Sequence, residues 1–243
     1  MRLKRIGFSR NITLEWLDDT ARYTAEMGNH EKVRAALNYT ITSYEGQEAK
    51  RKTIDVLIRT WTRVPEEHIK LRDQAIALLK ETRPEEKIWL HWGLLLLAYP
   101  IFYDVTATMG RLLALQGQVT RGQIKRSIVK DWGERTTLNR TISRIVQSLK
   151  DWNIFRNSEN NTYQLVKKRK TKNVNIQIWL LEALLNADPS QTITLQEISR
   201  IPSLFPFTIT LSTTPIITSK RFEIINQASN IQLVKLINQT SRR

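Results

Sequence analysis

Residues 135–152 form an amphipathic helical pattern with no acidic residue before Asp151. Its apolar positions recur at helical spacing and are Leu138, Ile142, Ile145, Val146 and Leu149. Hydroxyl, amide and guanidinium groups share the other side, at Thr137, Asn139, Arg140, Ser143, Arg144 and Gln147. Such a helix must bury one side in a core, and its other side suits phosphates and base edges.

The neighbouring segments complete a recognisable order of elements. Residues 120–132 predict a shorter helix with Ile124, Ile128 and Val129 on one side, and Gly133 ends it. After the amphipathic helix, 153–155 and 162–166 predict two strands, with a polar turn at 157–161. This order predicts a central winged helix-turn-helix, in which the second helix enters a groove and the two-stranded wing lies on the backbone.

Positive charge is concentrated in the same part of the chain. Residues 121–172 hold fourteen basic and four acidic residues, which is +10 of the net +15. Such charge favours a polyanionic partner, with binding that weakens as salt rises. RNA, acidic proteins and anionic lipid remain alternatives, but the predicted helix and wing favour double-stranded DNA.

The candidate DNA-binding residues lie on the two helices and in the basic run after the wing. They are Arg121, Lys125, Arg135, Thr136, Thr137, Asn139, Arg140, Ser143, Arg144, Lys167, Lys168, Arg169 and Lys170. In the alternative interpretations, Arg140 and Arg144 are solvated charges, 135–137 only caps its helix, and 167–172 is a solvated linker. Trp132 and Trp152 could stack on bases, but core packing is the favoured interpretation.

No catalytic pattern is found in the sequence. There are no cysteines, and His30, His68 and His91 lack metal-ligand spacing. The acidic pairs 18–19, 66–67 and 85–86 consist of helix neighbours that point in different directions, and none lies beside a glycine-rich phosphate loop. We therefore predict no enzymatic activity, no metal and no cofactor.

The apolar stretch 88–99 is too short to span a bilayer and predicts a buried helix. The basic N-terminus lacks the apolar core of a secretory signal. Together with the absence of cysteine, these features predict a cytoplasmic protein that makes no membrane contact.

Three segments are predicted, giving a mainly α fold. Residues 1–98 form a helical domain, 99–172 the winged helix-turn-helix domain, and 173–243 a small α+β module. In the first, helices are predicted at 13–28, from His30, at 48–61, at 66–81 and after Pro84. A helix at 101–116 begins the second.

The last segment predicts a second winged-helix-like unit without a basic face. It has predicted helices at 176–187 and 194–201, the latter with a capping box of Thr194 and Glu197, and turns at 188–190 and 228–230. Strands are predicted at 204–211, 221–226 and 231–237. We expect a docking or dimerisation module first, and a second DNA contact second.

Several stretches resemble the BrxA family of bacterial BREX phage-defence systems: 6–10 (Ile-Gly-Phe-Ser-Arg), 14–17 (Leu-Glu-Trp-Leu), 90–104 and 149–154. The resemblance covers residues 1–170, as an order of elements and aromatic positions. It implies a winged-helix, non-catalytic DNA-binding accessory of a larger antiviral defence complex. From the residues alone, a plain transcriptional regulator or a protein-interaction scaffold of a nucleoprotein complex, with a possible homodimer, stays open.

Overall fold

The computed structural model describes residues 6–42, 46–158, 162–188, 190, 192–227 and 231–237. Helix accounts for 65% of these residues and strand for 11%, so the predicted mainly α class is confirmed. The helices are α1 (Leu14–Met27), α2 (His30–Thr40), α3 (Gln47–Trp61), α4 (Ile69–Leu79), α5 (Lys87–Ala98), α6 (Pro100–Gln116), α7 (Arg121–Trp132), α8 (Thr136–Asp151), α9 (Val174–Ala187) and α10 (Thr213–Thr218). The strands are β1 (Val119–Thr120), β2 (Phe155–Ser158), β3 (Thr162–Leu165), β4 (Thr192–Thr194), β5 (Phe222–Asn226) and β6 (Gln232–Leu236). Short 3-10 turns occupy Glu66–His68, Pro84–Glu86, Leu195–Arg200 and Pro202–Leu204.

The helix ends follow the capping chemistry of the sequence. The Thr13 side chain accepts a hydrogen bond from the Trp16 amide at the start of α1. Gly28 ends α1 with φ 64°, a left-handed conformation that glycine adopts without strain. Asn29 then caps α2. The predicted helices of the first hundred residues are thereby confirmed to within a few residues of each boundary.

The apolar helix α5 is buried in the centre of the molecule. It packs along α9, where a Cβ atom added to Gly93 would lie only 2.4 Å from the Trp179 ring. Among the described residues no single helix is long and apolar enough to cross a membrane. The stretches 84–98 and Pro100–Gln116 meet that criterion only as a pair bent by 117°.

The first sheet is three-stranded and antiparallel, in the order β1-β3-β2. Val119 pairs with Tyr163, and Phe155 pairs with Leu165. Strand β1 was not predicted, and β2 begins at Phe155 and not at Asn153, because Asn153 has φ 54° and turns the chain. Asn157 and Ser158 are therefore in a strand. The rest of the predicted turn, 159–161, lies outside the described residues.

The second sheet is also antiparallel, in the order β4-β6-β5, so β5 and β6 confirm two predicted strands. The predicted strand at 204–211 is wrong: a 3-10 turn and irregular backbone take its place. Its alternating apolar residues do not line a sheet. Instead, the Phe207 ring packs on the Trp89 ring, with 4.4 Å between the ring centroids. A 3-10 turn forms where a helix was predicted at 194–201. The Thr194 hydroxyl donates to the Glu197 carboxylate, but no side chain caps a backbone N–H group at the start of the turn, so the predicted capping box does not form. The turn predicted at 228–230 and Pro189 lie outside the described residues.

One hydrophobic core connects all three predicted segments. Trp92 of α5 donates to the Ser203 carbonyl, and its ring lies 6.3 Å from that of Trp152. Phe155 of β2 stacks on Phe205 at 5.4 Å. The predicted boundaries at 98/99 and 172/173 therefore fall between elements that pack on one another.

Candidate nucleic-acid interface

Helices α7 and α8 meet at a sharp break. Thr120 and Gln123 form a reciprocal capping box at the start of α7. Gly133 ends the helix with φ 74° and ψ 162°, a conformation that favours glycine. Helix α8 begins after Arg135 with no side-chain cap and no acid in its first turn. Its leading amides and the positive end of its dipole are thus compatible with an anion.

Helix α8 has a buried apolar side and an accessible polar side, as the sequence predicts. The five apolar residues Leu138, Ile142, Ile145, Val146 and Leu149 are buried in the core. Thr137, Arg140, Arg144 and Gln147 are exposed, while Asn139 and Ser143 are half-buried. The polar side of the helix is therefore accessible along its length.

A basic groove runs along this side of α8. It has a volume of about 360 Å³ and is lined by Arg121, Arg140, Ser143, Arg144, Val146, Gln147, Lys150 and Tyr163. Four of these eight residues are cationic and none is acidic. The groove thus gathers residues from the start of α7, most of α8 and the middle strand β3.

Hydrogen bonds fix two of the groove arginines. Arg121 Nη1 donates to Ser143 Oγ at 3.4 Å, and Ser143 Oγ donates to the Asn139 carbonyl at 3.0 Å. Arg144 Nη1 donates to Asn11 Oδ1 at 3.4 Å. Neither arginine has a carboxylate partner among the residues that the structure describes, so both remain available to an anion.

The structure brings together Arg121, Arg140, Ser143 and Arg144 from the predicted site. It adds Lys150 and Tyr163, which the sequence prediction did not include. Lys150 lies seven residues after Ser143, two helical turns along the same side, and this spacing was visible in the sequence. Nothing local marks Tyr163, because only its pairing with β1 and β2 turns it toward α8.

The other predicted residues lie outside the lining of the basic groove. Arg135, Thr136 and Thr137 are exposed at the start of α8, and Lys125 is half-buried on α7. Asn139 has a buried Oδ1 without a hydrogen-bond partner among the described residues. These residues are close in sequence to the residues that line the groove, but they do not line it themselves.

The basic run after β3 has two different kinds of residue. Lys167, Lys168 and Lys170 are exposed. Arg169 points inward, where Nη2 donates to the Trp152 carbonyl at 2.7 Å, and its backbone bonds Pro206 and Thr208. Burial lowers the pKa of Arg169. We therefore assign Arg169 to packing between α8 and the C-terminal segment, whereas the three lysines face solvent.

The two tryptophans belong to the core, which confirms the favoured interpretation. Trp132 and Trp152 are 3% and 1% exposed. Trp132 Nε1 donates to Asp104 Oδ2 at 2.8 Å, and Trp152 Nε1 donates to the Ile12 carbonyl at the same distance. Stacking on a base would require either ring to leave its partner.

No group of three or more metal-binding side chains occurs within the described ranges. Comparisons with known proteins gave no match of any kind, whether to a protein-family model, a curated protein or a solved structure. The basic groove must therefore be interpreted from its own chemistry.

Proposed function

We propose that this protein is a non-catalytic, double-stranded DNA-binding protein whose basic groove holds the phosphate backbone. The observation that carries the proposal is the groove itself, in which three cations of α8 and Arg121 of α7 come together with no acid in the lining. Each phosphate neutralised there releases condensed counterions, which drives binding at low salt.

The order of elements supports a winged helix-turn-helix. Helix α6, β1, α7, α8, β2 and β3 follow one another, and the sheet order β1-β3-β2 sets the hairpin beside α8. In proteins of this kind the second helix of the motif enters the major groove. Arg140 and Arg144 would then approach base edges or phosphates, with Lys167 and Lys168 near the backbone beyond the hairpin.

The second sheet repeats this order in reduced form. Helix α9, β4, a 3-10 turn, α10, β5 and β6 give the sheet order β4-β6-β5. Helix α10 has only six residues and no basic side chain. We infer a degenerate winged unit that does not read DNA.

A salt series with a matched control tests the DNA proposal. The affinity for a fluorescein-labelled duplex is measured by anisotropy across salt concentrations, for the unchanged protein and two double variants. The test variant is Arg140→Ala/Arg144→Ala, and the control is Arg22→Ala/Arg51→Ala, which removes the same charge from α1 and α3. We expect the test variant to reduce the slope of log K against log salt by about 2, at about 1 per lost phosphate contact. The control should retain the original slope, and equal slopes for all three proteins would contradict the proposal.

Duplex RNA of the same length distinguishes DNA from RNA. The A-form helix has a deep, narrow major groove that side chains cannot read. An unlabelled RNA duplex should therefore compete poorly against the labelled DNA. Equal competition would replace DNA with RNA as the partner.

The second candidate function is a protein-interaction scaffold, and exposed apolar side chains favour it. Four isoleucines on α10 and on or beside the strands of the second sheet are each at least 40% exposed: Ile217, Ile225, Ile231 and Ile237. Light scattering after size exclusion would detect a homodimer formed there. Ile217→Lys/Ile225→Lys should then convert the dimer to monomer, and a monomer in both proteins would count against self-association.

The resemblance to the BrxA family extends the proposal to a phage-defence complex, with a plain transcriptional regulator as the alternative. Challenge of a host with and without this chain, together with its neighbouring genes, would test it. Equal phage yields would remove the defence role and leave regulation.

A further inference from the structure

A second concave site shares no lining residue with the basic groove. It is a cleft of about 1080 Å³ between the C-terminal end of α3, the junction of α5 with α6, and the end of α9. Its apolar lining includes Ile58, Leu97, Ala98, Pro100 and Ala187. A cleft of this size is large enough for a small organic molecule.

Arg59 gives this cleft an uncompensated positive charge. Its guanidinium carbon lies 5.0 Å from the centre of the Tyr99 ring, and the side chain is half-buried. Gly7 covers another side of it, because a Cβ atom there would lie 2.8 Å from Arg59 Nη1. Across the described part of the chain, no carboxylate lies within ion-pair distance of Arg59. Its position is thus fixed by packing while its charge remains unpaired.

The other charged groups of the cleft strengthen this imbalance. Asp55 is already shared between Arg34 at 2.7 Å and Arg51 at 3.2 Å. Arg63 is exposed at the rim and, like Arg59, has no ion-pair partner among the residues described. Glu67 is the other acid of the lining and is exposed to solvent. An anion entering the cleft therefore meets two unpaired guanidinium groups.

His68 also lines the cleft, beside Glu67, and its side chain is half-buried. The imidazole ring therefore forms part of the wall, and the two arginines are the groups that would recognise an anion.

We propose that this cleft binds a small organic anion with a flat apolar body, such as an aromatic carboxylate, sulfonate or phosphate ester. The apolar body lies on Leu97, Ala98 and Pro100, and the anionic group pairs with Arg59 and Arg63. The apolar lining explains why a bare inorganic ion would leave most of the cleft unfilled. The inference goes beyond DNA binding and shares no residue with the basic groove, so either proposal can fail alone.

The probe for this site is 8-anilinonaphthalene-1-sulfonate, which combines an aromatic body with one anionic group. Its fluorescence is titrated with the full-length chain and with Arg59→Gln. The control is Arg22→Gln, because Arg22 also lies over a tyrosine ring, Tyr23 at 4.3 Å, but pairs with Asp19 outside the cleft. We expect Arg59→Gln to weaken binding about tenfold and the control to leave it unchanged.

A second variant protects the test against misfolding. Arg63→Gln changes an exposed rim residue, and we expect it to weaken binding about threefold with an unaltered thermal melt. N-phenyl-1-naphthylamine, which has the same aromatic body without the sulfonate, should bind more weakly than the sulfonate and respond to neither variant. The proposal is overturned if both variants bind the sulfonate like the unchanged protein, or if the neutral probe binds as tightly.

Discussion

The indole Nε1 of Trp152 donates a hydrogen bond of 2.8 Å to the carbonyl of Ile12, 140 residues earlier in the chain. Beside it, the Ile12 amide donates to Ser148 Oγ at 3.0 Å. The segment before α1 is therefore bonded to the last turn of α8. The helix that forms most of the basic groove is supported by the N-terminal part of the molecule.

The first prediction concerns this bond. Trp152→Phe leaves the buried Ile12 carbonyl unpaired, so we expect a loss of about 1–3 kcal/mol in the free energy of unfolding, measured by urea denaturation. The matched control is Trp132→Phe, whose partner Asp104 is half-buried and can regain contact with water. A loss as large in Trp132→Phe would show that ring volume matters and the Ile12 bond does not.

The second prediction concerns the close approach of α6 to the turn at 202–204. A Cβ atom on Gly110 would lie 1.9 Å from the Pro202 carbonyl oxygen, which belongs to the backbone. Gly110→Ala should therefore lower the free energy of unfolding, measured by urea denaturation, by about 1–3 kcal/mol or more.

Gly122→Ala is the control, because a Cβ atom there meets nothing closer than 3.5 Å. Alanine favours helix over glycine by up to about 1 kcal/mol, so this variant should be unchanged or slightly more stable. A harmless Gly110→Ala would mean that α6 and the turn separate readily.

The third prediction concerns pH and His91. Its ring is buried, with Nδ1 accepting from Trp61 Nε1 at 3.2 Å and Nε2 lying 2.9 Å from Asp18 Oδ1. Burial lowers the pKa of His91, although Asp18 opposes that shift. The folded protein thus holds the neutral ring, whereas the unfolded chain takes up a proton below about pH 6.5.

The stability that His91 contributes is therefore present above about pH 6.5 and is lost as pH falls toward the lower folded-state pKa. The slope cannot exceed about 1.4 kcal/mol per pH unit for one proton. Urea denaturation at pH 7.5 and 5.5 should show a smaller loss in His91→Gln, which cannot titrate, than in the unchanged protein. Identical losses would assign the acid sensitivity to other groups.

The fourth prediction separates Arg169 from its lysine neighbours. Arg169→Gln removes the hydrogen bond to the Trp152 carbonyl and should cost about 1–3 kcal/mol in stability. It should leave the salt slope of DNA binding unchanged, since the guanidinium points inward. Lys168→Gln should do the reverse, retaining stability and reducing the slope by about 1. A reduced slope in Arg169→Gln would place that residue in the interface.

Local patterns determined much of this structure. Helical periodicity identified both sides of α8, because one face of a helix recurs every 3.6 residues wherever the helix packs. Gly28 and Gly133 marked helix ends, because each has a positive φ that most other residues adopt only with strain. Three arginines of the basic groove followed from those same patterns.

Other features depended on contacts between distant residues. The alternating segment 204–211 resembles a strand locally, but it makes one isolated bridge, between Phe207 and Arg169, and no ladder with a named strand. Its aromatic rings fill space beside Trp89 and Trp92. Strand β1 is only two residues long and exists through its pairing with β3. Short segments of this kind have little intrinsic preference, so tertiary contacts decide their conformation.

The sequence by itself determined the mainly helical class, the positive charge of 121–172 and the polar side of α8, because composition and periodicity are properties of neighbouring residues. Only the tertiary structure decided that Arg169 faces inward, that Tyr163 joins Arg140 and Arg144, and that Ser148 bonds Ile12. Those outcomes depend on which distant backbone groups approach a side chain, and hydrogen-bond partners more than a hundred residues apart leave no mark in a local pattern.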